Sequence, residues 1–243
     1  MALAPDLKGQ VAVVTGAGRG IGRAVALALG AAGAHVVAAA RTVKEIEVAA
    51  EAIRAAGGEA TAIRVDLADE ASVTALFAQV RKRFKRLDVL VNNAGIGLYG
   101  PVAEFSPADF DRVLAVNLRG TFLCCRGAMK LMIPRGRGYI LNISSVVGFK
   151  GYANQAAYTA SKHGIMGLTK VLAVEAQAHG IRASAILPGG VDTDLVRDAR
   201  PDLDPKVLLR PEDIAQAVLY LLSLSDRAAV DQIYIRRLTS QPF

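Results

Sequence analysis

The chain has 243 residues, is 52% hydrophobic and carries 29 basic against 22 acidic side chains, a formal charge of +7. That length and apolar content suit one large domain with a sizeable core. The two cysteines, Cys124 and Cys125, are adjacent, which excludes a disulfide framework and points to a reducing compartment.

The opening MALAPDLKGQ has no basic-then-apolar signal pattern, and no apolar stretch is long enough to span a bilayer. A soluble, cytoplasmic protein without a membrane partner is expected. His35, His163 and His179 stand far apart without ligand spacing, so no metal is expected.

In chain order, Val11–Thr15 reads as a strand, Ile21–Ala32 as a helix and Ala34–Ala40 as a second strand. A helix over Val43–Ala56, a strand over Ala60–Val65, a helix over Ser72–Phe84 and a strand over Val89–Asn92 follow. Phe110–Leu131 is predicted as one long helix before strand Tyr139–Ile143, and Ala157–Ala178 as another before strand Arg182–Leu187. Continuous apolar strands alternating with amphipathic helices are what a parallel sheet covered on both faces requires. The fold class is therefore α/β, a single-domain Rossmann-type doubly wound parallel sheet over residues 1–243.

The first strand runs into TGAGRGIG, where Gly16, Gly18, Gly20 and Gly22 alternate rather than follow G-x-G-x-x-G. Glycines after a first strand and before a helix let backbone N–H groups approach a pyrophosphate at the positive end of the helix dipole. Plain turn geometry is the alternative use of such glycines.

The end of the second strand reports on the ribose. A carboxylate there would bind the 2′-hydroxyl of NAD, but this chain has Ala40 followed by Arg41, and Arg19 lies in the glycine turn. Two arginines and no acid favour a 2′-phosphate, hence NADP(H). The alternative is two ordinary surface arginines.

The run Arg81-Lys82-Arg83-Phe84-Lys85-Arg86 has no interleaved aromatics beyond Phe84 and no nucleic-acid motif. It reads as the solvated end of a helix leading into a strand, and no nucleic-acid partner is expected.

In AAYTASK, Tyr158 and Lys162 are four residues apart and share one helix face. A nearby ammonium favours the phenolate, and a phenol of lowered pKa is a usable acid or base near neutral pH. On spacing alone, an exposed tyrosine with a solvated lysine is the commoner reading, and the rest of the chain has to decide.

With TGAGRGIG, NNAG (92–95), VNLRG (116–120), ISS (143–145), YTASK and LPGGVDT (187–193) in this order, the chain resembles the short-chain dehydrogenase/reductases over nearly its whole length. The resemblance implies that Tyr158 is the catalytic acid/base and that Lys162 lowers its pKa and holds the nicotinamide ribose. It implies that Ser145, thirteen positions before the tyrosine, binds the substrate oxygen in preference to Ser144. Asn117 would help hold a water linking the lysine to solvent.

For the cofactor, the resemblance implies contacts from Gly16, Arg19, Gly20, Ile21, Gly22 and Arg41, with Asp66 and Leu67 at the adenine. Asn93, Ala94 and Gly95 would line the cofactor, and Pro188, Gly189, Val191 and Thr193 would cover its nicotinamide end.

Two departures from the family pattern stand out. Ser184 replaces a common asparagine, and the DQIYIRRLTSQPF ending lacks the usual V-D-G-G. Residues 191–210, with two prolines and no steady apolar period, are expected to form a substrate lid. Leu98, Tyr99, Val146, Phe149, Tyr152 and Gln155 are candidate pocket walls.

The resemblance leaves two substrate readings open: a 3-oxoacyl thioester, with Arg135 and Arg137 of PRGRG meeting an acidic carrier protein unless that stretch is a plain solvated turn, or a small-molecule carbonyl such as a ketone or aldehyde. A dehydrogenase of a small alcohol or 3-hydroxy acid and a non-catalytic NADP(H) sensor are the competing readings. The two long helices imply a homotetramer by family resemblance.

Overall fold

A computed structural model describes residues 5–200 and 202–241; residues 1–4, Pro201 of the expected lid and the last two residues of the C-terminal ending lie outside the described residues. Seven parallel strands form one sheet. They are β1 (Val11–Thr15), β2 (His35–Ala40), β3 (Glu59–Arg64), β4 (Val89–Asn92), β5 (Gly138–Ile143), β6 (Ile181–Pro188) and β7 (Gln232–Ile235). Their order is β3-β2-β1-β4-β5-β6-β7. The chain runs outward from β1 to β3, then returns to β1's other side with β4. That reversal opens a crevice at the carboxyl ends of β1 and β4, where ligands bind in such sheets.

Eight α-helices cover the sheet among the described residues: α1 (Gly20–Ala31), α2 (Val43–Ala55), α3 (Glu70–Phe84), α4 (Pro107–Leu114), α5 (Gly120–Met132), α6 (Ala156–Gln177), α7 (Asp194–Ala199) and α8 (Pro211–Ser223). Successive strand side chains point to opposite faces, and the two cores divide accordingly. Ala12, Val14 and Val36 pack with Leu29, Ile46 and Ile214 from α1, α2 and α8. Val13, Val37 and Leu90 pack with Leu76, Cys125 and Leu172 from α3, α5 and α6. Burial on both faces is why the strands read as unbroken apolar runs.

The sequence boundaries hold to within a few residues for most elements. One expected helix divides. Residues 110–131 form α4, a π turn over Ala115–Arg119, and α5. The cause lies outside the segment: Asn117 is fully buried and accepts from Ile96 N–H at 2.8 Å while donating to Ile96 O at 2.9 Å. One widened turn lets the side chain reach that loop without ending the helix, as π bulges at functional sites do. Two further elements carry little signal in sequence. Helix α8 begins after Arg210 without a short polar capping residue, although Asp213 accepts from Arg210 N–H at 2.7 Å. Strand β7 is a half-buried edge strand.

The basic run 81–86 closes α3, with Lys85 in the left-handed region at φ 56°. Arg86 pairs with buried Asp88 at 2.6 Å, and Arg137 and Arg135 approach the same carboxylate at 3.5 and 3.8 Å. These arginines stand at the amino ends of β4 and β5, the end of the sheet away from the crevice. Arg135 and Arg137 thus face Asp88, whose carboxyl sits below its ordinary range despite burial, held there by Arg86 and the Val11 N–H. No helix among the described residues is long and apolar enough to cross a membrane.

Candidate active site

The crevice is one cavity of about 720 Å³ running from Arg41 and Thr42 at one end to Ser145, Tyr158 and α7 at the other. Every expected cofactor residue lines it except Gly22, and every expected catalytic residue except Asn117. Those two stand just behind its wall.

The glycine turn is a cradle in which side chains have no room. A Cβ on Gly22 would lie 2.2 Å from Gly16 O and 2.4 Å from the Asn93 amide nitrogen. Gly16 and Gly20 take positive φ, 66° and 52°, which glycine adopts without strain. Thr15, which the sequence did not single out, ties the cradle to the NNAG stretch. Its hydroxyl accepts from Asn93 and Ala94 N–H at 3.0 and 3.1 Å, while Asn93 Nδ2 donates to Thr15 O at 3.0 Å. The signal was present, a hydroxyl at the last position of the first strand, but its partners lie almost eighty residues away. The turn then enters α1, whose first residues, Gly20 and Ile21, line the cavity, and a helix N-terminus with its unpaired N–H groups is suited to receive phosphate. This cradle and α1 together fit a dinucleotide.

At the Arg41 end the charge balance differs from expectation. Arg41 is exposed and has no ion-pair partner among the described residues. Arg19 is not free: its guanidinium donates to Asp194 at the start of α7 at 3.0 Å. An acid is also present after all. Glu45 in the first turn of α2 packs on Gly18, with its Cβ and Oε2 2.6 and 2.9 Å from where a Gly18 Cβ would stand. Asp66 turns its carboxylate to Ala68 N–H at 3.0 Å, and with Leu67 it forms the neighbouring wall.

At the other end, α6 presents Tyr158 and Lys162 on its buried face, with Lys162 Nζ 5.6 Å from the Tyr158 ring centre. Both are nearly inaccessible to solvent. Burial drives the Tyr158 phenol well above its ordinary range, reinforced by Tyr99, while a hydrogen bond with Ser145 pulls the other way. Burial also draws the Lys162 ammonium down to about 8. The expected lowering of Tyr158 by Lys162 is therefore corrected for the chain alone, because desolvation opposes both charged forms. Lys162 Nζ donates instead to Ile143 O at 2.9 Å.

Ser144 and Ser145 both border the cavity, but the Ser144 hydroxyl is already engaged within the protein. Ser144 Oγ donates to Lys162 O at 3.2 Å, buried between β5 and α6. Asn117 also donates to Ser161 Oγ at 3.1 Å, and Ser161 donates to Tyr158 O at 2.7 Å, so the π turn is fastened to the α6 turn that carries the phenol. Gly95 passes close by: a Cβ there would lie 3.3 Å from Asn117 Oδ1 and 3.9 Å from Lys162 Nζ.

The described residues of the 191–210 segment carry local structure of their own. Thr193 caps α7, accepting from Val196 N–H at 3.4 Å, and its methyl lies 3.0 Å from a Gly20 Cβ position. Leu209 N–H donates to Gly190 O at 2.9 Å, closing the segment on itself. Leu98 and Tyr99 line the cavity as expected, but Val146, Phe149, Tyr152 and Gln155 do not. Phe149 instead stacks edge-on against Tyr234 of β7 at 5.1 Å. Ser184 ties β6 to its surroundings, bonding Tyr139 Oη at 2.8 Å and donating to Val230 O.

Residues 10–204 match a family model described as short chain dehydrogenase. A 3beta-hydroxysteroid dehydrogenase of Mediterraneibacter gnavus is 42% identical, over 82% of this chain and 72% of its own. A 3-oxoacyl-[acyl-carrier-protein] reductase of Synechocystis sp. is 41% identical, over 88% of this chain and 90% of its own. A metagenomic short-chain oxidoreductase, crystallised in complex with NADP, superposes with a TM-score of 0.86 at 39% identity, covering 97% of this chain and all of the other.

Proposed function

The chain belongs to the short-chain dehydrogenase family, and on that premise we propose that it reduces a ketone or 3-oxoacyl carbonyl to an alcohol with NADPH. The observation that carries this reading is the meeting of a protonated phenol, Tyr158, a cavity-facing hydroxyl, Ser145, and a buried ammonium, Lys162, in the cavity that holds the glycine cradle. Bound there, NADPH supplies the hydride.

The chain's own residues do the rest. Hydride arrival at a carbonyl carbon builds negative charge on its oxygen, and donors preorganised in a water-poor site stabilise that charge. Ser145 Oγ–H and Tyr158 Oη–H are the two donors. Burial keeps the Tyr158 proton in place until the oxygen becomes basic enough to take it, which suits a general acid working in the reductive direction. The cationic Lys162, 5.6 Å from the ring centre, favours the phenolate left behind, and solvent returns the proton after turnover. Asn117 fixes the Ile96 loop and, through Ser161, the helix turn under Tyr158. The alternative substrates, an acyl thioester or a free ketone, share this chemistry. With Arg135 and Arg137 at the far end of the sheet, nothing in the site favours a carrier.

Arg41 is the side chain we assign to the 2′-phosphate, since Arg19 already has Asp194 as partner. A charge-assisted hydrogen bond contributes about 1.5–3 kcal/mol. Arg41→Ala should therefore weaken NADPH binding about ten- to hundredfold while leaving NADH nearly unchanged. Fluorescence titration with both nucleotides reads this, and equal losses for the two would remove the assignment.

The assembly we propose is a homotetramer paired through α4–α5 and α6, which leave Phe122, Val171 and Val174 exposed. Light scattering returning a monomer mass would contradict it.

A further inference from the structure

Beside Tyr158 stands a second phenol that the chemistry above does not use. Tyr99 lies edge-on to Tyr158, ring centres 6.1 Å apart, and both line the cavity. Its hydroxyl is shielded from solvent and has no hydrogen-bond partner among the described residues. Buried tyrosine hydroxyls nearly always have one, and leaving one unmade costs about 1–3 kcal/mol. Phenylalanine would fill the same space without that cost.

The slot for this ring is specific. Tyr99 Oη and Cζ lie 2.0 and 2.5 Å from where a Cβ on Gly97 would stand, so only glycine at 97 admits the phenol. Asp198 of α7 also lines the cavity, and its charge adds to burial in raising the Tyr99 hydroxyl to about 12. Tyr99 thus stays a protonated donor at any pH at which the enzyme works. Its ring borders the cavity beside the catalytic phenol.

We propose that the Tyr99 hydroxyl is a substrate-recognition group that donates a hydrogen bond to a second oxygen of the substrate. The site then selects carbonyl compounds oxygenated on an adjacent or next-but-one carbon, such as diketones and hydroxyketones, over simple ketones. The two phenols standing side by side receive the two oxygens together, Tyr158 the one being reduced and Tyr99 the one that orients the molecule. This deepens the reductase reading and rests on it. A site built to hydrogen-bond a substrate oxygen discriminates strongly against the analogue lacking it, because its own polar group is then left unpaired.

The test compares Tyr99→Phe with the parent enzyme on diacetyl against butanone and acetylacetone against pentanone, with NADPH. The variant should lose about five- to fiftyfold in kcat/KM on the two diketones, mainly through KM, and stay within about twofold on the monoketones. Its Tm should be unchanged or higher, since only an unpaired hydroxyl is removed. Equal losses on all four compounds would mean that Tyr99 merely packs, and no loss on the diketones would mean that its hydroxyl never meets substrate. Either outcome overturns the proposal while leaving the reductase reading intact. A parent enzyme that binds NADPH yet reduces no compound in a wider panel of ketones, aldehydes and acetoacetyl thioesters would instead overturn the reductase reading, and this inference with it.

Discussion

Tyr158→Phe should lower NADPH-dependent carbonyl reduction by at least about a thousandfold while leaving NADPH affinity within about threefold. The substitution removes one oxygen and keeps the ring, so the edge-on contact with Tyr99 and the packing of α6 on the sheet persist. What is lost is both a general acid, whose contribution is typically 10²–10⁴-fold, and one of two donors to the developing oxyanion, itself commonly about 10²–10³-fold. These do not multiply, because one proton does both jobs. Ser145 remains as a donor, so some rate above background survives. Steady-state kinetics with a reactive diketone, alongside a nucleotide titration, measures both quantities. Retention of a tenth of the parent activity would mean that some other group delivers the proton, and a large loss of NADPH binding would mean that the phenol's role is chiefly in holding the nucleotide.

Lys162→Met should cost at least about a hundredfold in activity and yet raise the Tm of the nucleotide-free protein by several degrees. Lys162 is 4% exposed, and its ammonium has one hydrogen bond, to Ile143 O, with no carboxylate beside it. A folded-state pKa near 8 against an ordinary 10.5 corresponds to about 3 kcal/mol of unfavourable burial of the charge. Methionine has similar length and no charge to desolvate. Removing the bond to Ile143 offsets about 1 kcal/mol of that gain, and for a chain of this size each remaining kcal/mol is worth about 2–4 °C.

The pH dependence follows in sign. Between about 8 and 10.5 the unfolded chain binds a proton that the folded chain does not, so the stability of the parent protein rises with pH across that window. Below about 8 both states carry the charge and the full penalty stands. Lys162→Met should lack this rising component. The same ammonium attracts the anionic nucleotide, so NADPH affinity should weaken above pH 8 in the parent and not in the variant. A lower Tm for Lys162→Met at pH 7 would show that the buried charge is compensated after all.

The two residues illustrate how unevenly a site can be read from a chain. Tyr158 and Lys162 were recognisable because four residues of helix put them on one face, a local fact. Their electrostatics were not, since the direction of both shifts comes from burial against groups such as Tyr99 and Ile143 that the helix period does not reveal. Thr15 escaped notice because its partners are Asn93 and Ala94. Glu45 escaped because an acid was sought at the end of β2, whereas the turn of α2 delivers one to Gly18 from outside.

Sequence determined what depends on neighbours along the chain: the alternation of apolar strands and helices, the glycine turn after β1, the Tyr158–Lys162 face and the order of motifs along the sheet. Those features rest on the period of a helix or strand and on glycine's backbone freedom, and they need no knowledge of what packs against them. The tertiary structure decided what depends on distant groups meeting. It drew Arg19 onto Asp194, turned Arg135 and Arg137 to Asp88 at the wrong end of the sheet for a substrate, and widened a helix into a π turn so that Asn117 could reach Ile96. It also left the Tyr99 hydroxyl unpaired beside the reacting centre. Charge pairing and desolvation act through space over a few ångströms, so residues far apart in the chain settle them only once the fold has closed.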